Sequence, residues 1–263
     1  MSKLLAGGCS WTQQNFHTDI HPGLDCSWKK WPELVLGDWD EVVNLGRGGS
    51  GLDYMLPLLM EYIMEHDDVS HLILQFTSWY RWMTPERFFH NPTLALSKHN
   101  QRPHSALKNQ WMRPTLTRME QIENFFPTTH RSVQYRLNNY LILLNALVEL
   151  CLYKNIKFIG WQGLHFAHSK LPTVDRTAYK YFVNHRLFHK LDTLNNSGKI
   201  EFLNWPLVDT MSDCMDKILP KECNPNRGEC YGDGHRISAS DSHPNKKGHE
   251  FIAEWINQNA STI

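Results

Sequence analysis

Residues 3–10 read Lys-Leu-Leu-Ala-Gly-Gly-Cys-Ser, and they carry the first signal of the fold. The apolar first half has the length of a buried strand, and the small residues that follow allow a sharp turn. Such a turn leaves the hydroxyl of Ser10 exposed at a strand end, next to the free backbone amides of a following helix. Ser10 is then either a nucleophile or the cap of that helix, and this motif alone favours the cap.

Four further segments have the composition of buried strands, being short and rich in β-branched or aromatic residues. They are residues 41–45, 71–76, 156–161 and 200–203. Helical periodicity marks residues 52–65, 132–153, 177–194 and 245–257. Parallel strands need helix-length connections, so the alternation predicts an α/β protein, a three-layer α/β/α sandwich around a central parallel sheet of about five strands.

Nothing in the 263 residues has the composition of a tether between two cores, so we expect a single domain over residues 1–263. Two stretches depart from the strand and helix alternation, at about residues 77–130 and 206–240. We interpret them as excursions from the sheet edge that shape a ligand cleft at the carboxyl ends of the strands.

Charge gives no reason to expect nucleic acid or an anionic membrane as a partner, because 27 Lys and Arg residues balance 27 Asp and Glu residues. The apolar run at the N-terminus is too short for a secretory signal, and no segment has the length to span a bilayer. We expect a soluble protein that is not exported by a standard signal.

Six scattered cysteines without a repeated Cys-x-x-Cys pair favour a reduced compartment. Cys214, Cys223 and Cys230 share the second excursion. They leave three interpretations open: a structural zinc site, a bridge between Cys223 and Cys230, or free thiols, which their irregular spacing favours. We predict no metal site and no cofactor.

Two later motifs place further chemistry at strand ends. Residues 44–53, Asn-Leu-Gly-Arg-Gly-Gly-Ser-Gly-Leu-Asp, form a glycine-rich turn whose backbone amides can hold a phosphate or an oxyanion. The phosphate-loop pattern is absent, because no Gly-Lys-Ser/Thr follows. Residues 240–249 then read Ser-Asp-Ser-His-Pro-Asn-Lys-Lys-Gly-His, which sets Asp241 close to His243 before the last helix. A carboxylate beside an imidazole suits a general base.

Taken together and in this chain order, the three motifs resemble those of the SGNH/GDSL hydrolase superfamily. The resemblance implies a flavodoxin-like sheet and a serine esterase with Ser10 as nucleophile, His243 as base and Asp241 orienting the base. It also implies an oxyanion hole made by the backbone amides of Ser10 and Gly49 with the side chain of Ser78. The expected substrate is an O-acyl ester, in particular an O-acetyl ester of a carbohydrate, and no cofactor is needed.

The chain departs from the family pattern at three points. Gly-Cys-Ser stands where Gly-Asp-Ser is usual, Ser78 stands where the oxyanion-hole Asn is usual, and Asp241 precedes His243 by two residues where three is usual. Asp233 is a less favoured substitute for the acid. These departures keep a second interpretation open, a non-catalytic SGNH-fold binding or structural protein. An acyltransferase using the same triad is a third.

Residues 76–81 also resemble a variant found among phage-encoded hydrolase-like proteins, which would make the protein cytoplasmic or virion-associated. Its partners would be a small-molecule or glycan ester, and its assembly a homo-oligomer or part of a virion. For substrate contacts we predict Trp11, Trp79 and Arg81, since aromatic rings stack on sugar faces and an arginine binds anionic groups. A structural ion pair is the alternative role for Arg81.

Overall fold

The structure is a computed structural model that describes residues 2–77, 130–164, 172–203, 215–219, 234–238, 241–261 and 263. Within these ranges, the side chains of residues 130–133, 172–177 and 217 are not described. Most of both expected excursions, at about residues 77–130 and 206–240, therefore lies outside the described residues.

Five strands form one sheet in which every neighbouring pair is parallel. The strands are β1 Lys3–Gly7, β2 Glu41–Asn44, β3 Val69–Phe76, β4 Lys157–Gln162 and β5 Glu201–Leu203. Their order across the sheet is β2-β1-β3-β4-β5, which is the flavodoxin-like order. The predicted central parallel sheet is confirmed, and its five strands lie within two residues of their predicted positions.

Helices connect and cover the strands. They are α1 Leu52–Glu65, α2 His130–Tyr153, α3 Pro172–Val183, α4 Arg186–Asn196, the short α5 Met215–Ile218 and α6 Lys246–Asn259. A 3₁₀ helix, Trp31–Glu33, lies in the long crossover from β1 to β2. Among the described residues, no helix combines the length and the apolar character needed to cross a bilayer.

Two helix predictions were wrong. The segment predicted as one helix over residues 177–194 is two helices, because His185 has extended backbone and caps α4 by accepting a hydrogen bond from Leu187 N at 3.2 Å. The helix expected directly after Ser10 does not form. The carbonyl of Cys9 accepts hydrogen bonds from Thr12 N and Gln13 N at 2.9 and 3.1 Å, which makes one tight turn.

The sheet separates two apolar cores, as the three-layer prediction requires. On one face α1, α2, α3 and α4 pack against strand residues such as Leu5, Leu72 and Phe158. On the other face α6 and the 3₁₀ helix pack against Leu4, Ile73 and other strand residues.

The strand order fixes where a ligand site can form. In an open parallel sheet, ligands bind at the carboxyl edge where strand order reverses, and here that point lies between β1 and β3. Ser10 follows β1 by three residues and therefore stands at this edge.

Candidate active site

The turn that carries Ser10 is held by buried polar contacts to β3. Thr12 Oγ1 donates to Gln75 Oε1 at 2.6 Å and accepts from Trp31 Nε1 at 3.2 Å. A Cβ atom at Gly8 would lie 2.6 Å from Gln75 Oε1 and would collide with Thr12 Oγ1, so only glycine allows this approach. These contacts fix the backbone from which the Ser10 hydroxyl projects.

Asn44 holds the glycine-rich turn against the Ser10 turn. Its side-chain amide donates to Thr12 O at 2.6 Å, and its Oδ1 accepts from Gly46 N at 2.9 Å. Arg47 N donates to Gly8 O at 3.0 Å. The two motifs, more than thirty residues apart in sequence, are thus joined by hydrogen bonds.

Gly48 and Gly49 lie at the apex of this turn, and Gly48 is next to the serine. A Cβ atom at Gly48 would lie 3.9 Å from Ser10 Cβ, and Gly48 N donates to Gln13 Oε1 at 2.7 Å. Gly49 is buried and has a φ of 72°, a left-handed conformation that favours glycine. The role of Gly49 as an oxyanion donor stays a prediction.

Ser10, His243 and Asp241 form one continuous chain of hydrogen bonds. His243 Nε2 lies 2.9 Å from Ser10 Oγ, and His243 Nδ1 lies 2.5 Å from Asp241 Oδ1. His243 N also donates to Asp241 Oδ1 at 3.1 Å. The two-residue spacing between acid and base is therefore compatible with a bond between their side chains, because the carboxylate folds back over the backbone amide of His243.

The loop that carries the acid and the base is shaped by Asn245. Its Oδ1 accepts from Gly248 N at 3.0 Å and caps α6, while its Nδ2 donates to Gly234 O and Arg236 O at 2.5 and 3.0 Å. The Asn245 side chain thus joins the N-terminus of α6 to residues 234–236, and these bonds orient the loop so that His243 faces Ser10.

Trp11 has a packing role in place of the predicted substrate contact. Only 2% of its surface is exposed, and its ring centroid lies 5.8 Å from the guanidinium of Arg236. Arg236 is itself buried, forming an ion pair with Asp216 at 2.8 Å and donating to Ser242 O at 2.9 Å. A ring so enclosed offers no face to a sugar.

Three residues of the β1–β2 crossover contact the acid–base loop, and the sequence did not single them out. The Phe16 and His243 ring centroids lie 4.6 Å apart, and Thr18 Oγ1 donates to Asp241 Oδ2 at 2.5 Å. His21 Nε2 lies 2.7 Å from Ser238 Oγ. The hydrogen-bonded pairs are 223 and 217 residues apart, so no local pattern marks them.

Two opposing effects act on the pKa of Asp241, and their net result is a lowered pKa. Burial would raise it, but the hydrogen bond and charge of His243 and the hydroxyl of Thr18 together outweigh burial. Asp241 is therefore held as a carboxylate, the form that can stabilise an imidazolium.

Beside this loop, His249 is buried in a neutral form. Its Nδ1 accepts from Trp31 N at 3.2 Å, and burial, with the charges of Lys30 and His243, lowers its pKa to about 3. An accepting Nδ1 leaves the ring proton on Nε2. Protonation of this ring would place an unpaired charge in the core.

We expect acid to destabilise the protein through His249. The unfolded chain binds a proton near pH 6.5 and the folded chain only near pH 3, so stability present above pH 6.5 is lost as pH falls towards 3. The loss should be about 2 kcal/mol at pH 5. Urea unfolding at pH 7 and pH 5 measures this loss.

His249→Gln, which keeps an acceptor, should lose much less free energy of unfolding between pH 7 and pH 5. The exposed control His17→Gln should behave as wild type. Equal losses in all three proteins would contradict the assignment to His249.

Several predicted residues lie outside the described part of the chain: Ser78, Trp79, Arg81, Cys214, Cys223 and Cys230. In the part that is described, no three His, Cys, Asp or Glu side chains are grouped to hold a metal ion, and Cys9, Cys26 and Cys151 are buried free thiols.

Comparison with known proteins returns no matching family model and no matching curated protein. Similar solved structures include a member of the lipolytic G-D-S-L family from Veillonella parvula, 12% identical, covering all of both chains with a TM-score of 0.47. An acetylxylan esterase from Geobacillus stearothermophilus is 13% identical over 99% of this chain and 94% of its own, with a TM-score of 0.46. An esterase from Pseudoalteromonas sp. is 10% identical over 98% and 95%, with a TM-score of 0.45. Because these identities and TM-scores are low, the fold assignment rests on the strand order of the sheet.

Proposed function

We propose that this protein is a serine ester hydrolase. The observation that carries the proposal is the hydrogen-bonded series from Ser10 Oγ through the two ring nitrogens of His243 to Asp241, with distances of 2.9 and 2.5 Å. A nucleophile bonded to a base, and a base oriented by a buried acid, form the constellation of covalent acyl transfer.

Each residue of this hydrogen-bonded series has a role in the proposed ester hydrolysis. Ser10 Oγ attacks the acyl carbon while His243 Nε2 takes the hydroxyl proton, and Asp241 stabilises the resulting imidazolium. The imidazolium then gives that proton to the departing alcohol, which leaves an acyl group on Ser10. Water, deprotonated by His243, attacks the acyl carbon, and the proton returns to Ser10 as the acid is released.

For the oxyanion we propose the amides of Ser10 and Gly49, with the hydroxyl of Ser78 as a third donor. Support comes from the position of the glycine-rich turn against Ser10, and from the bond that already engages the neighbouring amide of Gly48 with Gln13. Backbone donors held in this way need little reorganisation when charge develops.

We further propose that the ester is an O-acetyl group on a carbohydrate. The crossover that carries Thr18 also lines an open cavity of about 450 Å³, which is separate from the catalytic residues, since Ser10, Asp241 and His243 are not part of its lining. The lining of this cavity includes the ring of Trp28 and both acidic and basic side chains: Asp25, Lys29, Lys246 and Glu250. An aromatic ring among polar groups is a lining that suits a sugar ring and its hydroxyls.

Covalent labelling tests the proposal directly. A fluorophosphonate should form a single adduct on Ser10, located by mass spectrometry of proteolytic peptides, because only an activated serine attacks such a reagent. Exposed Ser242, three residues before Asn245 in the loop that precedes α6, serves as the internal control and should stay unlabelled. No adduct on Ser10, together with no release of acetate from acetylated oligosaccharides, would favour the non-catalytic binding or structural protein.

A further inference from the structure

The two oxygens of the Asp241 carboxylate have different partners. Oδ1 accepts from both the backbone amide and the ring of His243, and Oδ2 accepts from Thr18 Oγ1 at 2.5 Å. The bonds of Oδ1 come from a residue only two positions away. The bond of Oδ2 comes from the β1–β2 crossover, 223 residues away in the sequence.

Thr18 is held in place for this bond. Its Oγ1 also accepts from Ile20 N at 3.2 Å, and 6% of the residue is exposed. Because an ionised carboxylate can only accept, the single hydroxyl proton of Thr18 is donated to Asp241, while a lone pair of Oγ1 accepts from Ile20 N. Asp241 is 1% exposed, so water cannot readily replace a lost partner.

We propose that Thr18 is a positioning residue for the acyl-transfer reaction, which locks the Asp241 carboxylate in the orientation that holds His243 against Ser10. This inference rests on the proposed function. Two bonds to Oδ1 alone leave the carboxylate able to rotate about its Cβ–Cγ bond. A third bond to Oδ2, from a separate segment of the chain, removes that rotation and satisfies an otherwise desolvated oxygen.

Neighbouring contacts support the same role. The ring of Phe16 packs against the ring of His243 at an interplanar angle of 34°. His21 forms a hydrogen bond with Ser238, whose Oγ accepts from Asp241 N at 3.0 Å. The crossover therefore contacts the base His243 through Phe16, and the acid Asp241 through Thr18. Its third contact, through His21, is with Ser238, which accepts from the backbone amide of the acid. The hydroxyl of Thr18 also contributes to the lowered pKa of Asp241.

Other titratable groups near the acid do not duplicate this effect. Cys26, on the same crossover, has a pKa raised by burial and is a neutral thiol at pH 7. His243 is the charge partner of the acid on its own loop. The hydroxyl of Thr18 is thus a neutral donor that favours the carboxylate form, together with the backbone amide of His243.

The test compares Thr18→Val, which keeps the shape and removes the hydroxyl, with Thr18→Ser, which keeps the hydroxyl. Thr193→Val is the matched control, since Thr193 is remote and donates to His189 O within its own helix. For p-nitrophenyl acetate, we expect Thr18→Val to lower kcat by about ten- to a hundredfold with little change in KM. Thr18→Ser should recover most of the activity, and Thr193→Val should match wild type.

A readout independent of turnover accompanies the kinetics. Carbon NMR of labelled aspartate should show a higher pKa for Asp241 in Thr18→Val than in wild type or Thr18→Ser, because the carboxylate has lost a donor. An unchanged pKa of Asp241 in Thr18→Val, or equal loss of kcat in the valine and serine variants, would overturn the inference. If the wild type hydrolyses no ester, the proposed function fails, and the NMR comparison still decides whether Thr18 holds Asp241.

Discussion

Ser10→Ala is expected to reduce kcat for p-nitrophenyl acetate by about a millionfold, to the level of the uncatalysed reaction plus residual binding effects. The reason is that Ser10 Oγ is the atom bonded to His243 Nε2, and no covalent intermediate can form without it. His243→Ala should cause a loss of similar size, because the serine hydroxyl is a weak nucleophile without its base. Steady-state release of p-nitrophenol at matched concentrations of folded protein measures both.

The control and the double variant make this result specific. Ser242→Ala changes an exposed serine on the acid–base loop and should retain wild-type activity. The variant lacking both Ser10 and His243 should lose no more than either single variant, since residues that act as one unit are strongly non-additive. Turnover within about tenfold of wild type in Ser10→Ala would place the nucleophile elsewhere.

Asp241→Asn is expected to lower kcat by about ten-thousandfold, the effect found when an amide replaces the acid of a serine protease triad. Asp241 Oδ1 now accepts the proton of His243 Nδ1 at 2.5 Å. An asparagine can donate to that nitrogen, which would place the ring proton on Nε2 and remove the acceptor that Ser10 needs. The kcat of the folded variant, measured across pH, tests this expectation.

The matched control for this change is Asp192→Asn, an equally conservative substitution on the exposed side of α4. It should leave kcat unchanged. If Asp241→Asn retained kcat within about tenfold of wild type, the buried carboxylate would not be the acid of the reaction. Asp233 would then be the next residue to replace.

Local sequence patterns were sufficient for the five strands and for most of the helices. Strand β1 and helix α1 begin and end at their predicted residues, Lys3–Gly7 and Leu52–Glu65. In α1 the buried residues recur at three and four positions, a period that the sequence displays directly: Leu52, Met55, Leu56, Leu59 and Ile63. Hydrophobic periodicity and turn composition are local properties, so they can be recognised in the sequence without any knowledge of the tertiary contacts.

Local patterns failed where a neighbouring contact decided the backbone. The break between α3 and α4 depends on His185, whose ring caps the second helix, although histidine has no strong preference for that position. The tight turn after Ser10 depends on two bonds to one carbonyl and on buried contacts with β3. Neither feature changes the apolar periodicity from which the helices were predicted.

Periodicity and composition predicted the α/β class and the parallel sheet. The family resemblance of three short motifs, each beside a predicted strand or helix, then pointed to Ser10, Asp241 and His243. The tertiary structure alone decided that these three residues share one hydrogen-bonded series and that Thr18 reaches Asp241 across 223 positions. It also decided that Trp11 packs inside the protein. The physical reason is that an irregular crossover has no period, and its contacts depend on how the whole chain packs around the sheet.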